Sequence, residues 1–365
     1  MIVFLLIIFA LYFATIAHLI YGFSSVKIYD EIGLKPKTKF TIIVPFRDEE
    51  KHLPLLLESF STLNYQPELF EVLLVDDDSK QKFQLPRFEF RVSIIDNKRT
   101  SNSPKKDAIL TAMQQVTTDW VITTDADCMV NKNWLLTLDN YIQTHNTSMI
   151  AGAVTYDCND SFLHQFQQLD MASLQGATIG SFGIHKGFMC NGANFTYTKS
   201  LFQELNGFEG NDKIASGDDV FLLQKAINKA PEQVHYLKST NSIVTTQALN
   251  NWKTLFYQRL RWASKTNSYQ SIYGKMVALS VFMGNLGWIF AMIWSIIDFK
   301  TAGLLLPTII LKMVIDGVLI RQADRFLNSK RTKYLFLGSL IYPFFSSSVA
   351  LYSIVGKYEW KGRRF

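Results

Sequence analysis

The chain reads as an α/β domain built on a mostly parallel sheet and bracketed by apolar segments long enough to cross a membrane. Three observations predict this. Between residues 40 and 124, short apolar runs of strand character alternate with stretches of helical periodicity, and that alternation implies parallel strands with helices on the faces. Acidic stretches close several of the runs, at the strand ends where open α/β sheets bind ligands. The apolar excess is also uneven. Of 365 residues, 48% are hydrophobic and 19% charged, with the hydrophobic surplus gathered at residues 1–23 and beyond 273.

Ile2 to Tyr21 is interrupted only by Thr15 and His18, a length that suits a spanning helix. No Lys or Arg precedes it, as a secretory signal peptide would require. Lys27, Lys35, Lys37 and Lys39 follow it and place the next domain on the cytoplasmic side. Phe40 to Pro45 is expected to be a buried strand. Arg47-Asp48-Glu49-Glu50 is expected to open a helix through about Thr62, with Leu53, Leu56, Leu57 and Phe60 at helical spacing. Phe70 to Val75 reads as a second strand, ending in Asp76, Asp77 and Asp78; Arg91 to Ile95 reads as a third. Lys105 to Val116 reads as helix and Trp120 to Thr124 as a fourth strand. A further helix begins near Asn251 and carries Gln258 and Arg261 on one face. Its Trp252, Leu255 and Tyr257 suit a membrane interface.

Met276 to Ile297 and Gly303 to Ile320 are two further apolar segments, joined by the short link Asp298 to Ala302 as a helical hairpin. The loop after them holds Arg321, Arg325, Lys330, Arg331 and Lys333 against Asp324 alone, a cytoplasmic signature. Lys312 and Asp316 lie four residues apart near mid-depth, either as a structural ion pair or as part of a lipid or acceptor path. Tyr334 to Val355 is open to two readings. A single crossing would carry the basic tail outside. A re-entrant hairpin broken at Pro343 and Ser346, Ser347 and Ser348 would have halves of about 15 Å, too short to cross. The expected organisation is an anchor at 1–23, a cytoplasmic domain at 38–265, a membrane region of three segments at 273–356 and a basic tail at 357–365.

The formal charge of +6 is explained by Lys and Arg beside the membrane segments. No basic stripe interleaved with aromatics marks the middle domain, so no nucleic-acid partner is expected. Three cysteines, Cys128, Cys158 and Cys190, with no CxxC spacing argue against a disulfide framework or a zinc site. Cys128 is expected to be a packed thiol. P-loop and GxGxxG patterns are absent.

Four motifs appear in order: Val75-Asp76-Asp77-Asp78-Ser79, Thr124-Asp125-Ala126-Asp127, Ser216-Gly217-Asp218-Asp219, and Gln258-Arg259-Leu260-Arg261-Trp262 before a long hydrophobic segment. Together they resemble the D, DxD, D, QxxRW signature of membrane-bound family 2 glycosyltransferases, which include cellulose, chitin and hyaluronan synthases and ceramide glucosyltransferases. The resemblance covers roughly residues 40–265, plus a tail, Trp360-Lys361-Gly362-Arg363, similar to the W-[KR]-G-R ending of many relatives on the catalytic side. It implies a GT-A-like, Rossmann-related nucleotide-sugar domain. Pro45-Phe46-Arg47-Asp48-Glu49-Glu50 resembles the P-x-R-N-E-E opening, with Asp48 in place of Asn. This puts Pro45, Arg47 and Glu49 in the nucleotide site. Asp76 and Asp77 match the acidic pair that contacts uracil and ribose; a carboxylate accepts from the uracil N3–H. Pro104-Lys105-Lys106-Asp107-Ala108-Ile109-Leu110 resembles the G-K-x-x-A-L helix start, with Lys106 taken as its Lys; a surface lysine is the alternative.

Asp125 and Asp127 match the DxD pair, with Asp127 the expected ligand of Mg2+ or Mn2+, a hard cation that neutralises a departing diphosphate. Asn191 and Asn194 lie in a stretch similar to C-x-G-x-x-N and are candidates for sugar hydroxyls, or else caps of a glycine-rich turn. Asp219 aligns with the catalytic base, which must take the acceptor's proton; Asp218 is the second candidate or a helix cap. Gln258, Arg261 and Trp262 would serve the diphosphate and acceptor. The expected activity is an inverting, metal-dependent transfer from a UDP-sugar to a membrane-associated acceptor, with the active site at the cytoplasmic face of the plasma (inner) membrane. A lipid acceptor is preferred over a growing saccharide made by a processive polysaccharide synthase. A catalytically inactive nucleotide-sugar-binding protein is the non-enzymatic alternative.

Overall fold

The computed structural model describes residues 2–211, 216–265, 268–328, 330–355, 359–360 and 363–364. The chain divides into two compact units, one of Met1–Val26, Cys158–Phe188 and Ala248–Phe365, the other of Lys27–Asp157 and Met189–Gln247.

The first unit is helical. It contains α1 (Ile2–Ser25), and the other helices of the unit are α5 (Phe162–Gly183), α8 (Trp252–Ser264), α9 (Ile272–Ile297), α10 (Phe299–Leu327) and α11 (Leu335–Val355). Helices α1, α9, α10 and α11 are long and apolar enough to cross a membrane. The shortest, α11 with 21 residues, extends about 31 Å at 1.5 Å per residue. The helix α11 is continuous through Pro343, so the hairpin alternative fails. An apolar helix tolerates an internal proline when neighbouring helices and hydroxyl side chains satisfy the freed backbone groups. The link between α9 and α10 is Asp298 alone, which caps α10 by accepting from Lys300 N at 3.1 Å.

Helix α1 packs on α5 through glycines: a Cβ on Gly183 would fall 1.8 Å from the Gly22 carbonyl oxygen, and one on Gly22 would fall 2.0 Å from that of Gly180. Small residues let helix backbones approach this closely. Two short antiparallel strands, Glu359–Trp360 and Arg363–Arg364, close the chain. Lys361 and Gly362 of the predicted tail motif lie outside the described residues.

The second unit carries the sheet. In chain order its elements are β1 (Phe40–Phe46), α2 (Leu53–Ser61), β2 (Phe70–Asp76), β3 (Arg91–Asp96), α3 (Pro104–Met113), β4 (Trp120–Thr123), β5 (Cys128–Val130), α4 (Trp134–Thr144), β6 (Met149–Gly152), β7 (Val154–Asp157), β8 (Phe195–Thr198), α6 (Lys199–Glu204), α7 (Asp218–Lys229), β9 (Val234–Leu237) and β10 (Val244–Gln247). Seven strands run in the order β3-β2-β1-β4-β8-β6-β9. Strands β3, β2, β1 and β4 are parallel, and β8 runs antiparallel to β4 and β6. A smaller sheet has the order β5-β10-β7. The core fills with Phe40, Ile42, Val44, Leu56, Phe60 and Val72 of the predicted apolar runs, together with Trp134 and Ile150, which no predicted run covered. Residues 158–188 and 248–265, expected inside the middle domain, belong to the helical unit.

Helix α2 starts at Leu53, not at Arg47. Asp48 has φ 53°, a left-handed conformation that interrupts a right-handed helix. The backbone turns at Glu49, whose carbonyl accepts from Leu53 N at 3.0 Å.

Candidate active site

The strand ends of the sheet unit assemble the site. Strands β1 and β4 pair only from Phe40↔Trp120 to Ile43↔Thr123, whereas β1 and β2 stay paired to Phe46↔Asp76. Pro45 falls just past the β4 pairing. A proline lacks the donor a central strand needs, and here the ladder on that side has already ended. The sheet therefore parts beyond residue 43, as a binding crevice at strand C-termini requires.

On one side of this opening, the 47–48 and 78–80 turns are laced together. Asp48 N donates to Ser79 Oγ at 3.0 Å, and Lys80 N donates to Asp48 Oδ1 at 2.8 Å. Asp48 and Asp78 both have positive φ, a region that Asp and Asn tolerate better than most residues, so Asp48 meets the same backbone demand as Asn. Asp76 and Asp77 are both buried. Asp76 accepts from Ser79 N at 2.9 Å and Lys82 Nζ at 3.1 Å. Burial alone would raise its carboxyl, but these hydrogen bonds outweigh burial and hold it below the usual carboxylate range. Asp77 accepts from Asn97 Nδ2 at 2.7 Å and Arg99 Nη1 at 3.4 Å, with Arg47 Nη1 at 3.9 Å. Glu49 Oε2 lies 2.8 Å from His52 Nδ1.

On the other side, a lysine joins the second and third acidic motifs. Lys105 sits in the first turn of α3, which opens with Pro104, a proline position favoured at helix starts. Its Nζ is 2.6 Å from Asp125 Oδ1 and 3.5 Å from Asp218 Oδ2. Burial would favour the neutral amine, but Asp125 and Asp218 outweigh it, with Asp219 adding, and the pKa of Lys105 is raised. Lys105 is an ammonium at any physiological pH. Asp219 Oδ2 accepts from Gly192 N at 2.9 Å and Oδ1 from Val220 N at 2.7 Å. Gly192 O in turn accepts from Thr123 Oγ1 at 3.0 Å at the end of β4. A Cβ on Gly192 would lie 3.2 Å from Lys105 Nζ and 3.3 Å from Asp218 Oδ2. The 191–193 turn thus ties the end of β4 to the start of α7.

Several sequence expectations need correction. Lys106 is buried; its Nζ donates to Asn211 O at 2.6 Å and lies 5.2 Å from the centroid of the Phe221 ring. It is an interior lysine, and its neighbour Lys105 is the one that reaches Asp125 and Asp218. The missed signal was spacing: counting K-x-x-A back from Ala108 gives Lys105. Asn194 is also buried and spends its amide within the fold, donating to Ala153 O at 2.8 Å and Ser242 O at 2.7 Å and accepting from Trp134 Nε1 at 3.1 Å. A side chain so committed has no donor left for a sugar hydroxyl. Asn191 Oδ1 accepts from Ala193 N at 3.0 Å, so it shapes the turn. Asp218 does not cap α7: the cap is Gly217 at φ 83°, and Asp218 and Asp219 form the first turn, where carboxylates suit the helix dipole. Arg99, Asn97 and Gly192 had no sequence signal as lone residues.

Asp125 is partly exposed and Asp127 half-buried, on the turn closed by Cys128 N donating to Asp125 O at 3.2 Å. Cys128 is buried, and burial pushes its thiol well above the usual value, as expected of a packed thiol. Among the described residues no group of three or more His, Cys, Asp or Glu gathers to hold a metal. Two carboxylates fit Mg2+ or Mn2+, which take one or two protein oxygens and complete their shell from phosphates and water.

In the helical unit, α8 begins as expected at Asn251, which accepts from Lys253 N at 2.8 Å. Gln258, Arg261 and Trp262 are each partly buried on it.

The family profile described as Glycosyl transferase family 2 matches residues 41–205. This stretch is therefore similar to family 2 glycosyltransferase domains. The poly(ribitol-phosphate) beta-N-acetylglucosaminyltransferase TarS of Staphylococcus aureus is 28% identical over 116 residues, which is 31% of this chain and 20% of that protein. The chain thus spans about a fifth of the length of that curated relative. Among solved structures, the mannosyltransferase PcManGT from Pyrobaculum calidifontis, in complex with GDP-Man and Mn2+, aligns with a TM-score of 0.53 at 15% identity. The alignment covers 89% of this chain and 100% of that one. It supports a GT-A-like fold. A complex of Staphylococcus aureus TarS residues 1–349 with UDP-GlcNAc aligns with a TM-score of 0.44 at 14% identity, over 90% of this chain and 96% of that one.

Proposed function

We propose that the protein is an inverting, metal-dependent glycosyltransferase that moves a sugar from a UDP-sugar to a membrane lipid at the cytoplasmic face of the plasma membrane. The observation that carries this reading is Lys105, which brings one positive charge between the DxD carboxylate Asp125 and the α7 carboxylates. Acidic groups and an ammonium at the mouth of a parallel sheet suit a diphosphate leaving group held with a divalent cation.

Asp127, with Asp125, would hold Mg2+ or Mn2+, which when bound supplies charge neutralisation at the diphosphate. Lys105 adds a protonated donor to the same charge. Asp219, oriented by the Gly192 N–H, takes the proton of the acceptor hydroxyl as its oxygen bonds to the anomeric carbon. The bond to the UDP oxygen breaks on the opposite face, and UDP leaves. Asp76 and Asp77, with Arg47 and Glu49, form the nucleoside end. Gln258, Arg261 and Trp262 are assigned to diphosphate and acceptor by the signature they match.

The test is incubation of membranes holding the protein with radiolabelled UDP-sugars and GDP-mannose, followed by lipid extraction. Label in the organic phase supports the lipid reading. Label in a high-mass aqueous product replaces it with polymer synthesis. Nucleotide binding without any transfer would make the protein a nucleotide-sugar sensor.

A further inference from the structure

The signature of the pentad Gln258–Trp262 constrains Gln258, Arg261 and Trp262 and leaves position 259 open. The helical unit gives that open position partners of its own. Arg259 is 6% exposed, and Asp170 on α5 is 5% exposed. Arg259 Nε donates to Asp170 Oδ2 at 2.5 Å, and its Nη1 donates to Gln258 Oε1. Its guanidinium carbon lies 4.3 Å from the centroid of the Trp262 ring. Tyr342 of α11 lies beside Asp170 as well. One planar, permanently charged group therefore touches both a signature amide and a signature indole, and a single buried carboxylate fixes its plane.

A buried ion pair is weak evidence for stability, because desolvation offsets most of the attraction. Its value lies in geometry. A guanidinium presents a fork of donors and a flat face at once, which lysine cannot do. The fork edge is divided between Asp170 and Gln258, and the face is against the indole. Rotating Arg259 would release the Gln258 carbonyl and unstack Trp262 together.

We propose that Arg259, oriented by Asp170, is a positioning residue that sets the Gln258 amide and the Trp262 ring for the acceptor. This rests on the glycosyltransferase reading above.

The test uses the full chain in detergent or nanodiscs, labelled with 5-fluorotryptophan. The Trp262 resonance is assigned by its loss in Trp262→Phe. In Asp170→Asn and in Arg259→Lys the resonance should shift or broaden. Acceptor KM should rise about tenfold or more, with UDP affinity within twofold of wild type. Asp170→Asn/Arg259→Gln replaces the pair by neutral hydrogen-bonding partners. It should recover thermal stability but not the acceptor KM, because the cation over the indole is gone. A purely structural pair predicts the reverse: activity returns with stability. An unmoved Trp262 resonance with an unchanged acceptor KM in either single variant overturns the proposal. Should Asp170→Asn fail to fold, Arg259→Lys decides alone, because it keeps the charge facing Asp170. If the wild type transfers no sugar, the glycosyltransferase reading fails, while the fluorine resonance still decides whether Asp170 and Arg259 orient Trp262.

Discussion

Two lysines, each beside carboxylates, serve opposite ends in the two units. Lys105, in the sheet unit, faces Asp125 and Asp218, and the Asp125 side chain is 41% exposed. Lys312, in the helical unit, is 3% exposed and closed in on every side. Its Nζ donates to Asn285 Oδ1 at 2.6 Å and pairs with Asp316 Oδ2 at 2.9 Å. Tyr12 donates to the other Asp316 oxygen at 2.5 Å, and Asn285 Nδ2 donates to Ser346 Oγ at 3.4 Å. This network pins α1, α9, α10 and α11 with each charge answered, which favours the structural ion pair over a place in an acceptor path. Charge left partly in contact with solvent can bind; charge fully answered inside apolar helices specifies packing.

The largest effect should come from the open cluster. Asp127→Ala should abolish transfer and remove the gain in UDP affinity that Mn2+ or Mg2+ confers on the wild type. Equal UDP affinity with and without metal in the wild type would refute the assignment. Next comes the base. Asp219→Asn retains the contact to Gly192 but takes no proton at neutral pH. Turnover should fall by about 10²–10⁴-fold, with donor affinity near wild type. Asp218→Asn should cost far less. A dead Asp218→Asn beside an active Asp219→Asn would shift the base by one residue.

The closed cluster should respond in stability. Lys312→Met leaves Asp316 facing an apolar neighbour. Breaking a buried pair costs about 3–5 kcal/mol in water-soluble proteins. The interhelical hydrogen bond from Lys312 to Asn285 is worth less, since such bonds between apolar helices average about 0.6 kcal/mol because the separated helices also find polar partners. Denaturation of the purified chain should show a loss between these two figures, with UDP affinity unchanged. A loss of UDP affinity without loss of stability would put Lys312 in the binding machinery and erase the contrast with Lys105.

The sequence carried the four strands β1 to β4 and the start of α8, because apolar runs and an Asn cap act locally. It failed where a side chain's duty depends on distant chain. Asn194 looks like a ligand until Ala153, Ser242 and Trp134 close around it. Lys105 and Lys106 are neighbours in one helical turn, and only the docking of α3 decides which of them is buried. The start of α2 was hidden by the left-handed Asp48, which is hydrogen-bonded to the 78–80 turn beside it. The helix α5 has no motif at all, yet it supplies Asp170.

The smallest effect tests the scaffold under Lys105. Asp107, in the same first turn of α3, is 1% exposed. It accepts from Thr100 N at 3.1 Å and Oγ1 at 3.0 Å, and from Ser101 N at 3.0 Å and Oγ at 2.9 Å. Arg99 Nε adds a contact at 3.2 Å. Burial alone would raise this carboxyl, but the hydrogen bonds from Ser101 and Thr100 hold it below its usual value of 3.8. A carboxylate depressed in the folded state contributes stability that is fully present above its unfolded value. That contribution is lost as pH falls through the folded one. Amide exchange at Thr100 and Ser101 reads this locally. Between pH 6 and pH 3 their protection factors should decline in the wild type. In Asp107→Asn they should start lower and stay flat, since an amide does not titrate. Parallel declines in both proteins would mean that another carboxylate governs the loop, and Asp76, depressed by its own hydrogen bonds from Ser79 and Lys82, would be the group to substitute next.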